Sequence, residues 1–180
     1  MNVSLATGFI IGGMLMLSLM ALNNRISQNT GMVVLQQISQ QRIDAIAEIV
    51  SSDFRKIGQG GSGQNAITNF TENTLTFTTS FDGIALNTIS WVFDTTATIE
   101  RTPNLNDRML LRIENGDSTR IDMGVTQFTM NYFDSDGNVP ATRNDIRRIQ
   151  VQLMVEGDAA YGNEISRLFW ESNFTPRAIQ

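Results

Sequence analysis

Cysteine and histidine are both absent from the 180 residues. Their absence excludes disulfide staples, thiol or imidazole chemistry, and zinc sites built from those ligands. Lack of cysteine is compatible with any redox compartment, so it does not locate the protein. Lysine occurs once, at Lys56, and the formal net charge is −5. Non-specific affinity for a phosphate backbone needs clustered basic side chains. Here the arginines are scattered, and the tightest arginine pair, Arg147 and Arg148, lies in a strand-like stretch where successive side chains face opposite ways. No nucleic-acid partner is expected. No G-x-S-x-G, P-loop or H-E-x-x-H pattern occurs and the carboxylates are dispersed, so neither enzymatic activity nor a cofactor is expected.

Charge is also missing from one end. Between Met1 and Asn24 no side chain is ionisable, and Val3 to Leu22 reads VSLATGFIIGGMLMLSLMAL. About 20 apolar residues at ~1.5 Å rise span the ~30 Å hydrocarbon core of a bilayer. Ser4, Thr7 and Ser18 are tolerated because their hydroxyls bond back to the preceding turn. Gly8 and Gly12 form a small-xxx-small pair that permits close helix approach, although a lone pair of this kind is more often just part of an anchor. A cleaved secretory signal needs a basic leader and an A-x-A-like exit; this segment has neither. Arg25, the one nearby basic residue, lies on the C-terminal side and by charge alone favours the orientation opposite to an extracytoplasmic head.

Beyond Asn23 the stretch NNRISQNTG, with its asparagines and Gly31, predicts a soft joint. Helical period then returns: Leu35, Ile38, Ile43, Ile46, Ile49, Val50, Phe54 and Ile57 recur mostly at three- and four-residue steps, with Gln36, Gln37, Gln40, Gln41, Glu48 and Ser52 largely off that stripe. Arg55 and Lys56 in the last turn and Gly58 after it mark the C-terminus. Ile43, Ile46, Val50 and Phe54 are the residues expected to seat this helix on the rest of the chain. Asp53 and Arg55 are expected to form a solvated last turn in preference to a buried pair.

From about residue 64 the period becomes two. Leu75 and Phe77 alternate with threonines, Ile89, Trp91 and Phe93 form another inward set, and further runs occupy 109–113, 120–123, 128–133 and 146–155. Turn signals at Asp82-Gly83, Glu114-Asn115-Gly116-Asp117, Asp136-Gly137-Asn138 and Glu156-Gly157-Asp158 separate the runs. The expected fold is α+β, a long N-terminal helix packed on an antiparallel sheet. The chain divides into an apolar helix (1–24), its amphipathic continuation (25–58) and a β-rich head (59–180). Trp91 and Trp170 are expected in the core or at an interface. Asp134, Asp136 and Asn138 supply hard oxygen ligands suited to calcium, but the distant bidentate glutamate of a full loop is missing and D-G-N between strands is a standard turn, so the turn is the expectation.

Three stretches resemble one family. Gln41-Arg42-Ile43-Asp44-Ala45-Ile46 running into Ser52-Asp53-Phe54-Arg55-Lys56-Ile57-Gly58 is similar to the helix end of W-type minor type IV pilins and of the J-type pseudopilins of type II secretion. Gly124–Asn138 followed by Ile146–Leu153 looks like that group's G-V-x-x-F-x-V-x-Y … D-G-N … I-x-x-I-x-V-x-L segment, and Phe174-Thr175-Pro176-Arg177 is similar to its usual ending. The resemblance implies a bacterial structural subunit, held in the cytoplasmic membrane by one span with the head outside. From there it is extracted into a surface filament or fimbrium beside copies of itself or sibling pilins. It implies that Met1, Leu5, Phe9, Ile10, Gly12, Leu15 and Leu19 form the assembly interface. The basic leader ending in glycine is not seen. Met1 is therefore expected to be the processed residue, since cutting at Gly8-Phe9 would leave an apolar run short for a span. The family's acidic fifth residue falls on Leu5, which fits a tip or minor subunit or a different terminal pairing. The competing expectation is an anchored sensory or ligand-binding domain that never polymerises.

Overall fold

The computed structural model describes residues 3–60, 66–80, 85–100, 102–161 and 164–176, the side chains of 3–6, 158–161 and 164 excepted. Its first element, α1 (Val3–Arg55), is a single helix of 53 residues, ~80 Å long at 1.5 Å per residue. The helix does not break at the predicted joint. Thr30 donates its hydroxyl hydrogen to the Ile26 carbonyl at 2.9 Å, back-bonding within the helix. Gly31 costs only ~1 kcal/mol relative to alanine, and intact turns on both sides propagate through it because extension is far easier than nucleation. Past Arg55 the chain tightens into turns. Gly58 takes φ +76°, the left-handed conformation that ends helices most easily at glycine. The Gly58 amide then donates to the Thr78 carbonyl at 3.1 Å, and the Ser80 amide to Gln59 at 2.8 Å, fastening the helix exit to the neighbouring strand.

Among the described residues eight strands follow: β1 (Ile67–Phe70), β2 (Thr74–Thr79), β3 (Asn87–Thr98), β4 (Arg108–Glu114), β5 (Asp117–Ile121), β6 (Val125–Phe133), β7 (Arg148–Tyr161) and β8 (Glu164–Phe174). The fold is α+β, as the two periods imply. The head, however, is two antiparallel meanders, β1-β2-β3-β4-β5 and β6-β7-β8, and not one sheet. Alternation decides the inward face: Leu75 and Phe77 on β2, Ile89 and Trp91 on β3, and Ile149, Val151, Leu153 and Val155 on β7 are all buried. The sheets meet through Trp91 of β3 stacked on Phe128 of β6, with centroids 5.7 Å apart. Hydrogen bonds join them as well: the Met130 amide donates to Glu72 at 2.8 Å, and the Tyr132 hydroxyl to Thr71 at 2.9 Å.

The turn signals fare unequally. Asn115 and Gly116, at φ +52° and +96°, make the two-residue hairpin between β4 and β5, matching the twist of the flanking strands. Asp82-Gly83 lies outside the described residues. Glu156-Gly157-Asp158 is not a turn. It lies within β7, where the ladder to β8 shifts register between Glu156 and Ala160.

The C-terminal half of α1 packs on β7 and β8. Ile43, Ile46, Val50, Phe54 and Ile57 are buried, whereas Ile38 and Ile49 are displaced to the edge of that face and stay exposed. Phe54 is the junction. Its ring lies 6.2 Å from Phe77, 6.5 Å from Trp91 and 5.3 Å from Phe174, touching β2, β3 and β8 at once. Truncating Phe54→Ala is expected to destabilise the head by ~3–5 kcal/mol. Denaturant unfolding of the detergent-solubilised chain, followed by tryptophan fluorescence, measures this; a loss below ~1 kcal/mol would contradict the junction role.

Candidate assembly surface and its root in the head

Between Gly8 and Leu22 every residue of α1 is exposed. The helix is long and apolar enough to cross a membrane, and its most apolar window is buried nowhere within the chain. Phe9 is 75% exposed, Leu15 61% and Leu19 65%, and Ile10, Ile11, Met14 and Met16 are similarly uncovered. Monomeric soluble proteins seldom present contiguous apolar surface on this scale; it belongs to lipid or to a partner. Gly8, Phe9, Gly12, Gly13 and Met16 line an open notch on one side, and side-chain carbon added at any of the three glycines would meet nothing within 4 Å. Of the residues expected at the interface, Phe9, Ile10, Gly12, Leu15 and Leu19 lie along this bare stretch. Leu5 lies on the same helix with its side chain undescribed, and Met1 lies outside the described residues.

The opposite end of the helix is rooted in the head. The root is built around Asp53, which is 3% exposed. In β3 and β4, Trp91 sits directly opposite Arg112, so both side chains emerge on one face. Asp53 descends from α1 onto that pair. Its Oδ2 accepts Arg112 Nε at 2.6 Å and Trp91 Nε1 at 3.0 Å, and its Oδ1 accepts the second arm of the arginine at 3.1 Å. Glu114 takes the remaining face of the guanidinium at 2.7 Å. The hydrogen bond that Arg112 donates to Asp53 chiefly, with help from Glu114, holds Arg112 protonated well above the usual arginine range against the opposing effect of burial. The expectation of a solvated Asp53 and Arg55 is thereby corrected: Arg55 is exposed, and Asp53 pairs with a strand arginine instead. Asp53 follows Val50 by three residues and Ile46 by seven, which puts it on the apolar stripe. Arg112 follows inward-facing Leu110 by two. An acid on a buried helix face and an arginine on a buried strand face each require a partner, and that was the sequence signal for the pair.

A second buried carboxylate anchors the other end of the head. Glu156 of β7 accepts Asn104 Nδ2 at 3.0 Å and Asn106 Nδ2 at 3.3 Å on one oxygen. Its other oxygen accepts Arg167 Nε at 2.8 Å and pairs with the second guanidinium nitrogen at 2.7 Å. Burial by itself would raise its pKa, but the three hydrogen bonds and the arginine charge outweigh burial and hold it below the usual glutamate value.

The Asp134, Asp136 and Asn138 cluster is a turn. Asp134 Oδ1 accepts the backbone amides of Asp136 at 2.9 Å and Asn138 at 2.8 Å, the bonding of a side chain that closes its own turn. Among the described residues no group of three acidic side chains is placed to hold a metal. Trp91 is a fully buried core residue, and Trp170 packs half-buried against that core.

Replacing Asp53 by Ala leaves the Arg112 guanidinium without its main counter-charge and is expected to cost about 3 kcal/mol. The paired variant Asp53→Ala, Arg112→Leu should cost less than the sum of the singles by at least ~1 kcal/mol in a double-mutant cycle; additive losses would contradict the coupling. For Glu156 the folded pKa is depressed, so its contribution is complete above the unfolded value of about 4.3 and fades as pH falls through the folded value. Glu156→Gln should therefore flatten the acid limb of stability below about pH 4.3 and leave the remaining pH dependence unchanged. Urea titrations at a series of pH values read this; an unaltered acid limb would contradict it. Compared with protein-family models, curated proteins and solved structures, the chain matches none.

Proposed function

We propose that this chain is a structural subunit of a type IV pilus-like or pseudopilus filament. In this reading α1 first anchors the subunit in the cytoplasmic membrane with the head outside, and then packs among the corresponding helices of copies or sibling subunits. The observation that carries it is the combination on one rigid helix of an uncovered, uncharged half and a half locked into a folded head. A plain anchor needs about 20 apolar residues and tolerates a flexible link to its domain. Here the helix runs on without interruption into the seat formed by Ile43, Ile46, Val50 and Phe54 and is pinned by the Asp53–Arg112 pair. Stiffness between span and head has a use when the apolar half must leave lipid and register against neighbours.

The similarity of the helix end and of the Gly124–Leu153 segment to minor pilins and pseudopilins supports the same reading. Leu5 in place of an acid favours a minor or tip position, since no carboxylate is present at that position to offset a neighbouring terminal amine inside an apolar core.

Placing a charge on the uncovered half tests it. Ile11→Asp and Leu15→Asp lie away from every contact with the head, so the head should fold normally. An aspartate at the centre of a span costs ~2.5–3.5 kcal/mol, which a strongly apolar helix survives, whereas packing that charge between helices costs more without a partner. Sheared surface fibres are expected to lose this chain at least tenfold while the membrane fraction retains it. Wild-type chain found only as a bilayer-resident monomer or dimer would instead establish the anchored sensory or ligand-binding alternative.

A further inference from the structure

The most exposed large apolar side chain among the described residues is not on α1. It is Leu105, 85% exposed, in the loop between β3 and β4. Single exposed leucines are common, but the chain on both sides of this one is tied down. Asn104 and Asn106, its two chain neighbours, both turn inward onto the same oxygen of Glu156. The Asn106 amide donates to Asn104 Oδ1 at 3.0 Å, and the Asp107 amide to the Asn104 carbonyl at 3.2 Å. Thr102 donates its hydroxyl to Ile99 at 3.2 Å. Arg108 holds the Leu105 carbonyl itself at 2.9 Å while its Nε reaches Thr95 at 3.0 Å. The loop directs both amides into the head and points the leucine away. Nothing in the folding of one chain requires that arrangement, since a polar residue at 105 would satisfy the same bonds.

The position of this knob is defined by its clamp. Glu156 lies where α1 enters the head: its carbonyl packs so closely on Gly124 that a Cβ there would come within 2.4 Å of it and 3.5 Å of Arg42. Gly157, the next residue, lies beside the buried Ser39. Leu105 is thus carried at the end of the head from which α1 projects. Between Leu22 and Ser39 that helix runs ~25 Å beyond the length that lipid covers. Along it Ile26, Val33 and Val34 are exposed, Ile38 is partly so, and no side chain from Ile26 to Gln41 is charged. The head's β8 flanks only one side of that stretch, beside Met32, Leu35 and Gln36, and leaves Ile26, Val33 and Val34 uncovered.

We propose that Leu105 is a preformed knob that seats on the Ile26–Ile38 stretch of α1 in a neighbouring copy of this chain, setting where one head rests on the next subunit's helix. The proposal rests on the filament reading and adds the second contact that the reading requires. The two surfaces match in kind: an exposed leucine whose two chain neighbours carry no charge meets an uncharged helix stretch with Ile26, Val33 and Val34 exposed. A rigid knob loses little conformational freedom on docking, the condition under which one small apolar contact is most effective.

Because the chain has no cysteine, crosslinking is unambiguous. Full-length chains carrying Leu105→Cys and full-length chains carrying Val33→Cys or Val34→Cys are co-expressed, fibres are sheared and oxidised, and disulfide-linked dimers are resolved under denaturing conditions. Dimers are expected only when both partners are present. Leu105→Asp is expected to lower fibre yield at least tenfold with an unchanged melting temperature, since the side chain makes no contact within the fold. Fibres of wild-type yield from Leu105→Asp, with no crosslink, would overturn the knob and leave the filament reading intact. A Leu105→Cys chain whose environment-sensitive label enters an apolar phase in lipid vesicles, again without crosslinks, would overturn it in favour of a membrane contact. Wild-type chain that forms no fibres would remove the filament reading and the knob together.

Discussion

The buried carboxylate of Asp53 determines how this molecule joins two environments. It sits on the last turn of a helix whose seat in the head is built mainly from Ile43, Ile46, Val50 and Phe54, and it is satisfied by Arg112 and Trp91 on two adjacent strands. An ion pair of this kind gains little over a well-packed hydrophobic substitute, but it is severe on any arrangement that leaves one member alone. The consequence is angular. Sliding α1 by one residue along β7 and β8 would strand the Asp53 carboxylate and leave Arg112 with Glu114 alone, which favours one register of the helix. Phe54, next to it, fills the point where β2, β3 and β8 converge, and the two neighbours together convert an amphipathic helix into a fixed root.

Everything outside the head follows from that root. A helix pinned at Asp53 and unbroken to Val3 projects its first half away from the head as a stiff apolar rod. The two halves obey different solvent rules. In the seated half the apolar stripe is narrow and buried; in the free half apolar residues face every direction and are covered by nothing in the chain. The lower carboxylate, Glu156, does for the Thr102–Asp107 loop what Asp53 does for the helix: it gathers donors from separate segments and fixes their exposed neighbours in place.

Much of this was legible in the sequence because periodicity reports burial directly. The three- and four-residue steps from Ile43 to Phe54 and the two-residue alternation at Leu75-Phe77 and Ile89-Trp91-Phe93 mark faces that are in fact buried. Local propensity misled where neighbours overrule it. Asn23 to Gly31 reads as a joint, yet strong helix on both sides carries through it. Glu156-Gly157-Asp158 reads as a turn, yet its glutamate is the centre of a hydrogen-bonded cluster within a strand. Division of the strands into two sheets depends on Trp91 meeting Phe128 across 37 positions of sequence, and no local pattern encodes that pairing. The ion pair was recoverable in principle, since Asp53 and Arg112 each interrupt an apolar face, but only by asking what each would need once buried.

In the proposed filament the uncovered half of α1 ends up among other helices and not in lipid alone. Spin labels placed at Leu15 and Leu19, in a chain that has no native cysteine, measure this directly in sheared surface material. Close packing of neighbouring helices predicts strong dipolar broadening at both positions and its disappearance when labelled chains are diluted with unlabelled ones. Narrow spectra with free access to lipid-soluble oxygen, in every fraction that contains the protein, would contradict it.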